Sequence, residues 1–480
     1  MFLDRQIDRL SALDASFLYL EGPRTPMHIS SLAIYEGPPP EDKELIEMLD
    51  QRLHLVPRFR QRLAAVPFNA HRPAWVPDPS FAIERHIQRI RAPGEGTDDD
   101  LMHVVGYLLS QPLKRLQPLW EMCLIEGLTD DRFAILSKTH HSLWDGISGA
   151  DLHSVLLDAT SEPRDEPYVE HSRPRAPSTL EMVASAARDR VAESVGAVRG
   201  ILGALRKPRD TIRQGADLAG GAIGLATSLV RQAPRMEINS RIGSGRRFSI
   251  ARSSLDEVKT LKTTVGTSVN DAILAAVAGG MRRWQISRGV DPHDMKVMVP
   301  VSVRSADESD EYGNRVAMLV VNLPVGVRDP IVRLRRIHEV MVAAKESGQV
   351  RAGDAIVKMS GVLPPVAVAG LSQLQSRYRS FNLLVTNVPG PQFPLYLLGR
   401  RLLELYPQAP LVRNQGLAVG AMSYDGKLGF GILGDLDTMP DVNVLAGGIS
   451  DAMDEILWTV GHETVMIPDP MAMGELVTVG

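Results

Sequence analysis

Ser137-Lys138-Thr139-His140-His141-Ser142-Leu143-Trp144-Asp145-Gly146-Ile147-Ser148-Gly149 is the stretch on which the reading of this 480-residue chain turns. The run before it, Arg132 to Lys138, is rich in strand formers. Thr129-Asp130-Asp131-Arg132 reads as a hairpin turn joining that run to a second strand over Trp120 to Gly127. After Gly146, the apolar residues Ile147, Ala150, Leu152, Val155 and Leu156 recur at helical spacing, so Asp145-Gly146 marks the bend into a helix. Two imidazoles therefore stand at a strand's end, with a carboxylate one tight turn away.

Histidine takes up and returns a proton near neutral pH, and a nearby aspartate can hold an imidazole's surroundings in place. A single buried histidine is more often a satisfied core residue, but a His-His-x-x-x-Asp-Gly string is harder to reach by chance. Adjacent histidines at a strand end point to opposite faces, which makes joint metal ligation awkward, and no metal is expected. Gly429-Phe-Gly431-Ile-Leu-Gly434 matches the dinucleotide fingerprint by letters. It lies inside a strand pattern with no helix after it, so it fails the physical requirements of that motif. No phosphate loop, Gly-x-Ser-x-Gly elbow or His-Glu-x-x-His occurs.

The histidine string resembles the signature of the CoA-dependent acyltransferase superfamily, which includes nonribosomal-peptide condensation domains. Pro118-Leu119-Trp120, Val269-Asn270-Asp271, Val299 to Arg304, Thr386 to Pro391, and the opening Leu10 to Phe17 with Pro26-Met27-His28 are similar to further motifs of bacterial wax ester synthase/diacylglycerol acyltransferases. The resemblance spans nearly the whole chain. It implies an α/β fold of two acyltransferase-like domains, mixed sheets flanked by helices, with the active site in a tunnel between them.

It also implies transfer of a long-chain acyl group from acyl-CoA, as co-substrate and with no other cofactor, to diacylglycerol, with fatty alcohols as a second acceptor class. The implied catalytic set is His141, His140, Asp145, Gly146 and Asn270. His141 would be the general base. His140 would act locally or simply pack. Asp145 would shape the loop through an arginine, for which Arg304 is the candidate. Asn270 would lie near the oxyanion or acceptor, although helix capping alone also accounts for it. Trp144, Trp120 and Asp271 would contact substrate. Trp144 departs from the slimmer aliphatic residue usual before this Asp, and if it faces the acyl chain it alters chain-length preference. Two other classes fit the same residues: a CoA-dependent acyltransferase for another hydroxyl or amine acceptor, and a catalytically silent lipid-binding relative.

Composition agrees with a globular protein: 44% hydrophobic and 23% charged residues, with a net charge of -4 that argues against nucleic acid as a partner. The single cysteine, Cys123, rules out an internal disulfide and reads as a buried apolar residue of a strand. The N-terminal residues lack the pattern of a secretory signal, and no apolar run reaches the roughly 20 residues of a membrane span. The expected location is cytoplasmic, with peripheral contact at the inner membrane or lipid droplets.

Three segments are expected from composition: residues 1–178 carrying the histidines, a linker over 179–240, and a second α/β domain over 241–480. The linker holds an amphipathic pattern from Leu180 to Leu205 with basic residues through Arg213. It reads either as a packed connector or as a surface drawn to anionic lipid. Short strands are expected at Trp75-Val76 and Phe81 to Ile83, and capped helices at Ser254 to Leu261 and from Ser268 onward.

Overall fold

A computed structural model of the chain describes residues 7–67, 71–143, 156–166, 169, 175–189, 232–302, 316–347, 370 and 379–466. Its framework is two six-stranded sheets and one three-stranded sheet. The first large sheet has the order β12-β13-β2-β7-β6-β5, built from β2 (His28–Glu36), β5 (Ile87–Arg91), β6 (Trp120–Leu128), β7 (Arg132–His140), β12 (Tyr396–Leu397) and β13 (Arg400–Gln408). The second has the order β10-β9-β11-β14-β15-β8: β8 (Arg246–Ser254), β9 (Met295–Ser302), β10 (Val316–Leu323), β11 (Leu383–Pro389), β14 (Leu417–Tyr424) and β15 (Lys427–Asp435). The small sheet joins β1 (Asp8–Arg9), β4 (Ala74–Pro77) and β3 (Gln61–Ala64).

The hairpin that delivers the histidines forms as its sequence dictates. Asp130 and Asp131 take left-handed φ values of 60° and 50°, a conformation Asp tolerates better than most residues, and this closes β6 onto β7. In β2 and β7 the register pairs His28 with His140, Ser30 with Lys138 and Leu32 with Leu136. Side chains of directly opposed residues share a face. That face packs its apolar part on helix α3 (Asp98–Ser110) and on Phe248, Ala418 and Leu433 of the second sheet. The opposite face, with Phe133, Ile135 and Trp120, packs with Leu18 of helix α1 (Ala12–Leu20) and with Leu45 and Leu49 of helix α2 (Asp42–Arg52).

Helix starts follow their caps. The Thr97/Asp100 pair closes a capping box on α3. Ser254 caps helix α4 (Leu255–Val265), and Ser268/Asp271 form a capping box on helix α5 (Val269–Ser287). Helix α6 (Pro330–Glu346) starts with proline behind its Asp329 cap, and helix α7 (Val442–Met466) packs on α5.

Three expectations need correction. The division at 179–240 is not a division of the fold: β12 and β13, from the C-terminal half of the sequence, are strands of the first sheet, beside β2. The end of the supposed linker is packed structure, since Ile238 is fully buried and Asn239 donates to the carbonyls of Asn382 and Asn414. Phe81 to Ile83 is not a strand; Ile83–Arg85 forms a 3-10 turn. In the described part of the amphipathic segment, residues 179–189 are helical. The buried positions there are Met182, Ser185 and Ala186, with Met182 and Ala186 set against Val66 and Val76, whereas Leu180 and Val183 are 78% and 38% exposed. The remainder of that segment, including Arg199, Arg206, Lys207 and Arg209, lies outside the described residues.

The letters of the rejected dinucleotide motif have a packing use. Gly429 and Gly431 of β15 lie under β13, where a Cβ on Gly431 would stand 2.0 Å from the Pro407 carbonyl oxygen and one on Gly429 2.7 Å from that of Leu405. The two large sheets approach each other there at backbone distance.

Candidate active site

The strand β7 ends at His140, and His141 opens a short 3-10 turn over His141–Leu143. Two main-chain bonds hold this corner: the His140 N–H donates to Leu119 O at 2.9 Å, and the His141 N–H donates to Met27 O at 2.8 Å. The two rings diverge. His140 stays on the inner face of the sheet and is 1% exposed, whereas His141 turns toward α1 and stacks on Phe17, with ring centroids 3.7 Å apart and planes inclined by 19°.

The His140 ring has a defined tautomer. Its Nδ1 accepts the Ser142 backbone N–H at 3.1 Å and lies 2.7 Å from Ser142 Oγ, so the ring proton is on Nε2. Nε2 faces Glu21 Oε1 at 3.6 Å, longer than a hydrogen bond. Burial opposes ionisation of Glu21, but His140 and Arg115 outweigh it and hold the carboxyl down at about 2. Glu21 is therefore an anion beside the histidine pair.

For His141, burial lowers the imidazole pKa to about 4, partly offset by a bond to its own backbone and reinforced by His140. The residue is half-buried, and its imidazole is a neutral proton acceptor at physiological pH. His28, the cross-strand neighbour of His140, is 2% exposed; burial first, then the charge of Lys138, lowers it to about 3. Lys138 is itself buried, and its ammonium donates to the Leu108 and Gln111 carbonyls at the end of α3 and pairs with Glu121 at 3.2 Å. Cys123 is buried and its thiol is pushed up to about 12, which leaves no thiolate for chemistry.

Of the other residues singled out from the sequence, Trp120, Asn270 and Asp271 are among the described residues. Trp120, expected at the substrate, is committed to the core: it is 2% exposed, its Nε1–H donates to Phe59 O at 2.8 Å, and it stacks between Phe59 and His86. Asp271 is 3% exposed and spends its Oδ2 on the Ser268 N–H at 2.9 Å and on His338 Nδ1 at 2.8 Å, a capping role. Asn270 is half-buried at the second position of α5. Among the described residues no hydrogen bond or ion pair joins Asn270 or Asp271 to His140 or His141. Trp144, Asp145, Gly146 and Arg304 lie outside the described residues. A cavity of about 270 Å³ opens at the seam of β13 and β15, lined by Arg252, Glu404, Tyr406, Tyr424 and Lys427, and neither histidine lines it.

Two residues to which the sequence analysis gave no role belong to the corner. Phe17 and Glu21 were within or beside the quoted N-terminal motif, but nothing in their spacing shows that α1 folds back onto a strand more than a hundred residues later.

The two-sheet architecture is that of the condensation-domain fold: the first condensation domain of the calcium-dependent antibiotic synthetase superposes with a TM-score of 0.55 at 15% identity, over 95% of this chain and 97% of that one. The match of residues 10–273 to the wax ester synthase/diacylglycerol acyltransferase catalytic domain and of residues 312–457 to the C-terminal domain of the same family narrows the class. The chain belongs to the wax ester synthase/diacylglycerol acyltransferase family and is an acyltransferase. It is 33% identical over 458 residues to the probable diacylglycerol O-acyltransferase tgs1 of Mycobacterium tuberculosis, covering 94% of this chain and 96% of the relative. It is 25% identical to the wax ester synthase/diacylglycerol acyltransferase of Marinobacter aquaeolei VT8, whose structure matches with a TM-score of 0.65 over 94% of this chain and all of that one.

Proposed function

We propose that this protein transfers a long-chain acyl group from acyl-CoA to the hydroxyl of diacylglycerol, and to fatty alcohols as a second acceptor class, with His141 as the general base. The observation that carries the reading is the neutral, partly accessible His141 at the end of β7, in a chain matched along 94% of its length by a relative named as a diacylglycerol O-acyltransferase. A neutral imidazole can take the acceptor's hydroxyl proton as the oxygen attacks the thioester carbonyl. Collapse of the tetrahedral intermediate breaks the C–S bond, and the imidazolium returns the proton to the departing thiolate. No covalent acyl-enzyme and no cofactor beyond the co-substrate enter this scheme.

In this scheme Asn270 donates to the developing oxyanion, Asp145 and Arg304 brace the loop that follows the histidines, Gly146 gives it its bend, and Trp144 borders the acyl chain. A nearly insoluble acceptor is collected at a lipid surface. Leu180 and Val183, exposed on their helix, support peripheral contact there, at the inner membrane or a lipid droplet. Among the described residues no helix is long and apolar enough to cross a membrane. The test is an acceptor panel: purified protein with palmitoyl-CoA and, in turn, diolein, hexadecanol and a short amine, scored by CoA release and by the lipid product. Triacylglycerol formation supports the reading. Turnover with the amine alone would assign a different acceptor, and lipid binding without CoA release would make the chain a silent relative.

A further inference from the structure

The geometry points to Glu21 as a positioning residue that sets the catalytic corner by holding both histidines, His140 through its ring and His141 through the main chain. The inference rests on the assignment of His141 as the base. Glu21 is the cap residue at the end of α1, and its side chain is 10% exposed. Its Oε1 accepts the Met27 N–H at 3.2 Å, and the carbonyl of the same residue accepts the His141 N–H at 2.8 Å. One peptide segment thus connects the carboxylate to the backbone of the base.

The same Oε1 faces the protonated Nε2 edge of His140, whose other nitrogen is taken by Ser142. The ring is thereby fixed at Ser142 on one edge and faces the carboxylate with the other. Oε2 is gripped by Arg115 through both Nε, at 2.8 Å, and one terminal nitrogen. Arg115 also reaches the Leu18 carbonyl on α1 at 3.3 Å, so the carboxylate has little freedom to turn.

The segment between Glu21 and Met27 is itself fixed. Gly22 and Thr25 exchange backbone hydrogen bonds of 3.2 and 3.0 Å, and the Arg24 carbonyl accepts from the buried Arg246 at the start of β8. Phe17, one turn earlier on α1, is the ring stacked on His141. The end of α1 and the turn after it therefore clamp the corner by a ring, a carboxylate and a carbonyl. This is the arrangement that keeps a reacting imidazole within the narrow range of poses that proton transfer needs.

The test compares Glu21→Gln, Glu21→Asp and His141→Ala in steady-state turnover of palmitoyl-CoA with diolein, corrected for the folded fraction. Glu21→Gln keeps the shape and an oxygen for Met27 but removes the charge on His140 and Arg115. We expect kcat to fall about tenfold to a hundredfold, with KM for palmitoyl-CoA within about twofold, because the lost contacts act behind the reacting group. Glu21→Asp keeps the charge and shortens the reach, and recovers part of the loss. If Glu21→Gln keeps its kcat while His141→Ala loses it, the role of Glu21 is wrong and the base assignment stands. If His141→Ala keeps its activity, the base assignment fails and Glu21 has nothing to position. A raised KM at unchanged kcat in Glu21→Gln would overturn the proposal in favour of a binding role. Should Glu21→Gln not fold, Glu21→Asp decides alone: a lower kcat at unchanged KM supports the proposal, and an unchanged kcat overturns it.

Discussion

The two adjacent histidines differ in the work their surroundings permit. His140 is sealed and oriented, with both ring nitrogens turned to fixed groups, while His141 is half-buried and stacks on a single ring. His141→Ala is expected to reduce kcat by about a hundredfold to ten-thousandfold, the usual worth of a general base, with its melting temperature close to wild type. His140→Ala should lower both turnover and melting temperature, because it empties a buried position. Acid conditions supply a second check. The base must be neutral, so the acidic limb of kcat/KM for His141 is expected between its lowered value of about 4 and the ordinary 6.5. Stability follows the same sign. His28 and His141 bind a proton less readily folded than unfolded, so the unfolded chain gains protons first as pH falls below 6.5, and stability is lost from there down toward their folded values. Glu21, depressed from 4.5 to about 2, adds a loss across that lower window. Measured by thermal unfolding from pH 7 to 4, His28→Asn should show a shallower decline than wild type; an equal slope would remove His28 from this account.

At the scale of elements, a buried ion pair ties the end of α2 to the segment around Leu156 and Asp158. Arg52, at the end of α2, grips both carboxylate oxygens of Asp158 at 2.7 and 2.9 Å, and both side chains are 2% exposed. Arg52 also donates to the Leu156 carbonyl, and the Asp158 backbone exchanges hydrogen bonds with Tyr396 of β12. Removing one partner leaves an uncompensated charge in the interior, so Asp158→Asn should cost about 3 to 5 kcal/mol in denaturant unfolding. A loss below about 1 kcal/mol, the range of exposed pairs, would show that Arg52 finds another partner. The seam glycines make a parallel case: Gly431→Ala drives a methyl into the Pro407 carbonyl, and overpacking of this kind costs about 1 to 3 kcal/mol. The hairpin and the capped helices were legible because each is a local pattern with its own turn or cap. Strand β13 was not, since Arg400-Arg-Leu-Leu-Glu-Leu-Tyr-Pro-Gln408 begins charged and carries a proline that argues against a strand. Proline is tolerated there because β12 pairs only with Arg400 and Arg401, so that among the described residues no strand pairs with the outer edge at Pro407.

For the whole molecule, the insertion of β13 beside β2 makes the two halves of the chain interdependent. Arg246, buried at the start of β8, adds a second tie through the Arg24 carbonyl and Asp435. A fragment of residues 1–240 would leave the edge of β2 unpaired and Leu32 and Ile34 of the core uncovered by Tyr406, Ala418 and Leu433. It is expected to be poorly soluble and without near-ultraviolet circular dichroism when produced alone, and to recover both on co-expression with residues 241–480. A monomeric, cooperatively unfolding 1–240 fragment would restore the contiguous division that composition implies.

The sequence by itself determined the α/β class, the hairpin that ends in the histidine pair, the helix starts and the family resemblance, because each rests on residues near one another along the chain. Only the tertiary structure decided what surrounds those histidines: Phe17 and Glu21 from α1 and His28 from the neighbouring strand are over a hundred residues away. It likewise moved Trp120 into the core and Asp271 into a helix cap, and gave the first sheet a strand from the far end of the chain. Burial, register and the partner of a side chain are properties of packing between distant segments, and no local spacing encodes them.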